Sequence, residues 1–192
     1  MANKKELNKK SKKIELGGDR LKMSLLEDDT YKKYRTIVKT IKDKIDIDDV
    51  DQEINRLHSG RISRTLYGTT PGGDVIMKAA LQDSSHRSRM AEIKVRISKQ
   101  SDILDITLDA TRIYLARHYA GEIADIRTKG ERDGFFNTYL TAGVALHARL
   151  KSLLDRIDIL LKDIDQAGFS LKHCVDILEL IYHSSGSKQG SV

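Results

Sequence analysis

Apolar positions recur at steps of three and four along most of this chain. Between Ser24 and Ile45 they fall on Tyr34, Ile37, Val38, Ile41 and Ile45, and Lys32, Lys33, Arg35, Lys39, Lys42 and Lys44 occupy the other side. That spacing predicts an amphipathic helix, with Ser24 as N-cap and Glu27, Asp28 and Asp29 in a first turn whose positive dipole end favours carboxylates. A second, short helix is predicted within "DIDDVDQEINRLHSGRISRTLYG". "GTTPGG", Gly68 to Gly73, is the strongest loop signal and reads as a hinge.

Two longer patterns follow. Met90, Ile93, Ile97, Gln100, Leu104, Leu108, Thr111, Leu115 and Tyr119 form one stripe of a helix from about Ser85 to Ile126. After the charged turn "RTKGERDG", Leu146, Leu150, Leu153, Ile157, Leu160 and Ile164 form a second stripe, widened by Leu154 and Leu161. Two helices of similar length with a short polar connection predict an antiparallel hairpin. Gly168 then suits a residue that ends the second helix, and Ser170 is placed to cap a short final one. That final helix would bury Leu171, Cys174, Val175, Leu178, Ile181 and Tyr182.

The expected fold class is therefore all-α: a long antiparallel helical hairpin with a short C-terminal helix and a basic N-terminal helical region. Its parts are a disordered basic arm (1–20), the N-terminal helical region (21–67), a Gly/Pro-containing linker (68–84), the hairpin and oligomerisation domain (85–183) and a disordered tail (184–192). Ile103, Ile106, Ile113, Ile123 and Ile159 lie off the main seams. They need cover, which favours a homo-oligomer.

Composition supports a single aliphatic core: among 192 residues there is no Trp, one proline (Pro71) and 32% charged residues. The lone Cys174 forbids an intrachain disulfide and suits a reducing interior. No run approaches the roughly 18 apolar residues of a membrane span, and no export signal is evident. A cytoplasmic setting is expected, the host cytoplasm if the protein is a phage's, with no membrane partner.

Net charge is +6, and residues 1–45 alone carry 14 Lys/Arg against 7 Asp/Glu. Such an asymmetry points to phosphates as partners. Two basic groups stand out. One is the lysine arm, Lys4, Lys5, Lys9, Lys10, Lys12 and Lys13, with the Lys32 to Lys44 face behind it. The other is "HRSRMAEIKVR", where Arg87, Arg89, Lys94 and Arg96 crowd a predicted helix start and oppose its dipole. An anionic ligand would offset that cost; so would acids of the same chain. Lys172 and His173 are secondary candidates.

Enzymatic signatures are missing. His58, His86, His118, His147, His173 and His183 are scattered without metal-ligand spacing, and no nucleophile elbow or nucleotide-binding glycine motif occurs. Asp46, Asp48 and Asp51 do not keep calcium-loop positions. Asp155, Asp158, Asp163 and Asp165 read as a solvated helix face. No catalytic residue, metal or cofactor is expected.

The order "SSHRSRM", "YLARHYAGE", a charged turn, a second helix and the "GFSLKH" restart resembles the UvsY-type recombination mediators of tailed phages over roughly residues 85–181. The resemblance implies a non-enzymatic oligomer that binds single-stranded DNA, helps displace the single-strand binding protein and loads a recombinase. It would place DNA contacts on Arg87, Arg89, Lys94 and Arg96, and it does not extend to the N-terminal lysines. Two alternatives stay open. One is a phage small terminase subunit binding duplex DNA through a helix-turn-helix in residues 24–67; the other is a helical structural or adaptor protein.

Overall fold

The computed structural model describes residues 23–61, 73–121 and 128–186. Among the described residues a helical turn at 23–27 precedes five helices: α1 (Asp29–Lys44), α2 (Ile47–Ser59), α3 (Gly73–His118), α4 (Lys129–Tyr139) and α5 (Thr141–Gly186). No strand occurs among the described residues. The fold is all-α, and paired stretches of α3 and α5 run antiparallel as a helical hairpin. The lysine arm (Lys4 to Lys13), most of the proposed 68–84 linker's Gly/Pro motif and residues 187–192 lie outside the described residues.

The chain forms two compact units, one within residues 1–46 and 99–151, the other within 47–98 and 152–192. In the first, Tyr34, Val38, Ile41 and Ile45 of the α1 region are buried, as are Leu104, Leu108, Thr111 and Leu115 of α3 and Leu146 and Leu150 of α5. In the second, Val50 and Ile54 of α2, Met90, Ile93 and Ile97 of α3, and Leu153, Ile157 and Ile164 of α5 are buried. These are the predicted stripes, with Ser101 buried beside the half-buried Gln100. A fully buried Leu or Ile contributes about 1.5–3 kcal/mol, so the seams are the main source of stability.

α3 ends at His118, short of the predicted Ile126, and the expected turn "RTKGERDG" is helical from Lys129 as the start of α4, capped by Thr128. Three further boundaries differ from expectation. The N-cap of α1 is Asp28 and not Ser24: Asp28 Oδ1 accepts from the Thr30 and Tyr31 amides at 2.8 and 2.9 Å. Ser24 is itself helical, within residues 23–27, and its carbonyl accepts from the Asp28 amide at 3.2 Å. Next, α3 begins at Gly73, twelve residues before the predicted Ser85, because Ile76, Ala79, Asp83, His86 and Met90 extend the same three-and-four stripe. A buried aspartate breaks the apolar pattern in sequence, but Arg61 neutralises it in the fold.

Third, no separate C-terminal helix exists. α5 runs unbroken from Thr141 to Gly186, and Gly168 sits inside it with open space around its missing side chain. Interior glycine costs a helix about 1 kcal/mol relative to alanine, too little to end one with helix formers on both sides. Ser170 Oγ donates to the Gln166 carbonyl at 3.2 Å and caps nothing. The predicted buried side is not buried either: Leu171, Cys174 and Leu178 are partly covered, and Val175, Ile181 and Tyr182 are exposed.

Candidate nucleic-acid interface

Ion pairs decide which cations can meet a ligand. In the unit containing α2, the helix cluster predicted to touch DNA is engaged internally. Arg87 Nε donates to Asp165 Oδ1 at 2.7 Å, Arg89 Nε to Glu53 at 2.7 Å and Nη1 to Glu92 at 3.0 Å, and Lys94 Nζ lies 2.6 Å from Asp158. Hydrogen bonding to Asp165 holds the Arg87 guanidinium above its ordinary pKa, and the same bond holds the Asp165 carboxyl below its own. Arg89 is raised likewise by its bond to Glu53. Arg96 alone of the four is exposed and outside any ion pair among the described residues.

Those acids were expected to be a solvated face. Instead α5 presents Asp158, Asp163 and Asp165 to basic residues of its own unit. Asp163 accepts from Arg61 Nη1 and lies 3.8 Å from His58 Nε2, and Arg61 Nε also donates to the buried Asp83 at 3.1 Å. Arg156 bonds Asp51 and Asn55 of α2. The Asp51 carboxylate is thus a helix-to-helix tie. Among the described residues, no group of three His, Cys, Asp or Glu could hold a metal ion, and no helix is long and apolar enough to cross a membrane.

The other unit treats its polar groups differently. Tyr114 and Tyr119 hydroxyls both donate to Asp28 Oδ2, at 2.6 and 3.2 Å, so the N-cap of α1 is tied to α3. Burial pushes the Asp28 carboxyl up, but the Tyr114 hydroxyl, the two amides and Tyr119 together pull it below its ordinary value. Tyr31 donates to the Tyr139 carbonyl at 2.8 Å and Tyr34 to the Leu140 carbonyl at 2.9 Å, and the Gly143 amide donates to Tyr34 Oη at 3.0 Å. Burial raises the pKa of both tyrosines. Tyr31, Tyr34, Tyr114 and Tyr119 therefore act as structural donors, and Phe136 is buried.

With its inner face fixed this way, α1 turns Lys32, Arg35, Lys39 and Lys42 outward at steps of three, four and three. At 100° per residue these four fall within about 80° of arc, centred about 110° around the helix from the buried Tyr34, Val38 and Ile41. Lys32 pairs with Asp29 at 3.4 Å. Arg35, Lys39, Lys42, Lys33 and Lys44 are exposed and make no ion pair or hydrogen bond with described residues. Lys172 is exposed as well, and His173 faces Asp176 at 4.0 Å.

The structure thus separates the two predicted basic groups. It leaves Arg35, Lys39 and Lys42 of α1 outside any ion pair among the described residues and ties Arg87, Arg89 and Lys94 to carboxylates. The signal for that pairing was present in sequence as the aspartates of residues 155–165, but only the antiparallel register brings them opposite the arginines. No protein-family model, curated protein or solved structure matches this chain.

Proposed function

We propose that this protein is a non-enzymatic, oligomeric DNA-binding protein that acts through the outward face of α1. The observation that carries the reading is the row of exposed cations Arg35, Lys39 and Lys42, which make no ion pair among the described residues. Unpaired cations on a rigid helix are what electrostatic phosphate binding requires, since each contact gains by releasing a counterion from the nucleic acid. A cation already held by a carboxylate gives up that bond first and gains less. The row also follows the lysine-rich residues 4–13 in the chain, which adds to the same sign of charge.

The finer role, a recombination mediator that loads a recombinase on single-stranded DNA in concert with a single-strand binding protein, rests on the resemblance of residues 85–181. The duplex-packaging alternative draws no support from α2. As the second helix of a helix-turn-helix it would lie in a groove, yet Asp48, Asp49, Asp51 and Glu53 fill its first two turns.

The test compares two triple variants on single-stranded and duplex oligonucleotides across a salt series. Arg35→Gln/Lys39→Gln/Lys42→Gln is expected to weaken binding at least tenfold and to lower the salt slope by about 2, at roughly 0.7 per phosphate contact on single strands. Arg87→Ala/Arg89→Ala/Lys94→Ala is expected to leave the slope unchanged. An unaltered affinity and slope in the α1 variant would sink the reading, and a preference for duplex would remove the mediator role.

A further inference from the structure

Beside the α1 cations stands an aromatic group with no part in holding a phosphate. Tyr31 begins the same row: Tyr31, Arg35, Lys39 and Lys42 follow at steps of four, four and three, and at 100° per residue they share one flank of α1, within about 80° of arc. Burial raises the Tyr31 pKa, and the charge of Arg35, one turn further on, opposes that rise.

The Tyr31 hydroxyl joins this flank to α4. It donates to the Tyr139 carbonyl at 2.8 Å, which brings the last turn of α4 against the head of the cation row. There the Phe135 ring meets Tyr139 at 5.2 Å and Phe136 at 5.9 Å, each at a tilt of 68°. Rings braced edge to face hold their orientation, and neither neighbour lies parallel to Phe135. Phe136 is buried, whereas Phe135 and Tyr139, one turn apart, are half-buried. On the opposite side of α4, Asn137 accepts from Arg112 Nη2 at 3.0 Å, so the helix is pinned from α3 as well as from α1. All these residues belong to the unit of residues 1–46 and 99–151.

We infer that Phe135 and Tyr139 form a base-stacking subsite for single-stranded nucleic acid whose phosphates run along Arg35, Lys39 and Lys42. Binding of single strands without sequence preference combines these two parts: cations track the backbone, and bases stack on aromatic rings beside them. Duplex bases are already stacked on one another, so a duplex can use the cations alone. Tyr31 is the joint between the parts, because its hydroxyl is committed to α4 while its neighbour Arg35 opens the row. The inference rests on the proposed binding face of α1 and adds to it the part that recognises bases.

The test compares a thymidine oligonucleotide with an abasic one of equal length, which carries the same phosphates and no bases. The unaltered full chain should bind the thymidine strand about tenfold more tightly, with a similar salt slope for both. Phe135→Leu/Tyr139→Leu should abolish that difference and leave the abasic affinity and the salt slope unchanged, with helicity checked by circular dichroism. Phe135→Trp should keep the preference. The chain otherwise has no tryptophan, so quenching of its emission by the thymidine strand, and not by the abasic one, reports stacking directly. Equal affinity for the two strands in the unaltered protein, a preference that survives the paired leucine substitutions, or tryptophan emission indifferent to the thymidine strand would overturn the inference. Salt-dependent binding without base dependence, lost in Arg35→Gln/Lys39→Gln/Lys42→Gln, would remove the stacking subsite and leave the α1 face standing; affinity for neither strand would remove both.

Discussion

In the unit of residues 1–46 and 99–151, tyrosine hydroxyls make most of the polar ties between elements: Tyr31 and Tyr34 reach the carbonyls at the end of α4, and Tyr114 and Tyr119 reach Asp28. In the unit of residues 47–98 and 152–192, ion pairs do that work, linking Arg61, Arg87, Arg89, Lys94 and Arg156 to Asp83, Asp163, Asp165, Glu53, Asp158 and Asp51. The difference teaches where free charge can reside. A helix tied by hydroxyls keeps its outer cations available, whereas a helix tied by ion pairs uses them in its own packing. Counting basic residues in the sequence ranked the 87–96 cluster beside the N-terminal one; partner geometry ranks them far apart.

The largest expected effect breaks the tyrosine-tied unit. A Cβ on Gly143 would stand 2.5 Å from Tyr34 Oη and 3.1 Å from Leu108 Cδ2, inside a buried contact. Gly143→Ala is expected to cost about 2–3 kcal/mol, from overpacking and a disturbed Tyr34 hydrogen bond, and urea unfolding by circular dichroism checks it. Gly60→Ala, whose Cβ would meet the Arg56 carbonyl at 3.0 Å and otherwise only the His86 ring at 4.0 Å, serves as a milder comparison in the other unit.

Next comes the best-covered ion pair among the described residues. Arg61 and Asp83 side chains are 13% and 8% exposed, unlike the half-exposed pairs of Arg87, Arg89 and Lys94. Arg61→Ala is expected to cost about 2 kcal/mol, because a buried carboxylate loses its guanidinium. Exposed pairs are worth about 0–1 kcal/mol each, so the same measurement on Arg87→Ala should show less than half that loss. Equal losses would erase the distinction between covered and exposed pairs.

The smallest effect is a pH dependence. Asp28 has a folded pKa below its ordinary value, so its contribution is present above the unfolded pKa near 3.8 and fades as pH falls through the folded value. Tyr114→Phe removes one donor and moves the folded pKa back toward 3.8. It is therefore expected to lower stability by about 1 kcal/mol at neutral pH, with the difference from the unaltered protein vanishing in acid. Thermal unfolding at a series of pH values measures it; a difference that persists below the folded pKa would mean that the tyrosine acts through packing alone.

Much of this was legible in the chain. Periodicity gave the helical class, the two long stripes and the buried side of α1, because burial of a helix face imposes its own 3.6-residue signature wherever the face packs. Helix ends were harder to read. Gly168 looked like a stop because local glycine cost is visible in sequence, while the stabilisation that carries α5 through it comes from both sides of the residue. Asp83 hid the start of α3 for the converse reason: its partner Arg61 is 22 residues away.

The sequence by itself determined that the protein is helical, which positions face its cores, and that its positive charge gathers toward the N-terminus. Only the tertiary structure decided which cations remain available. Pairing of Arg87 with Asp165, or Lys94 with Asp158, depends on the antiparallel register of α3 and α5, and register is a property of two packed surfaces that no local stretch of sequence contains. The exposure of Phe169, Ile177 and Leu180 late in α5 has the same origin: these apolar residues are plain in the sequence, but their cover depends on how far the neighbouring helices extend.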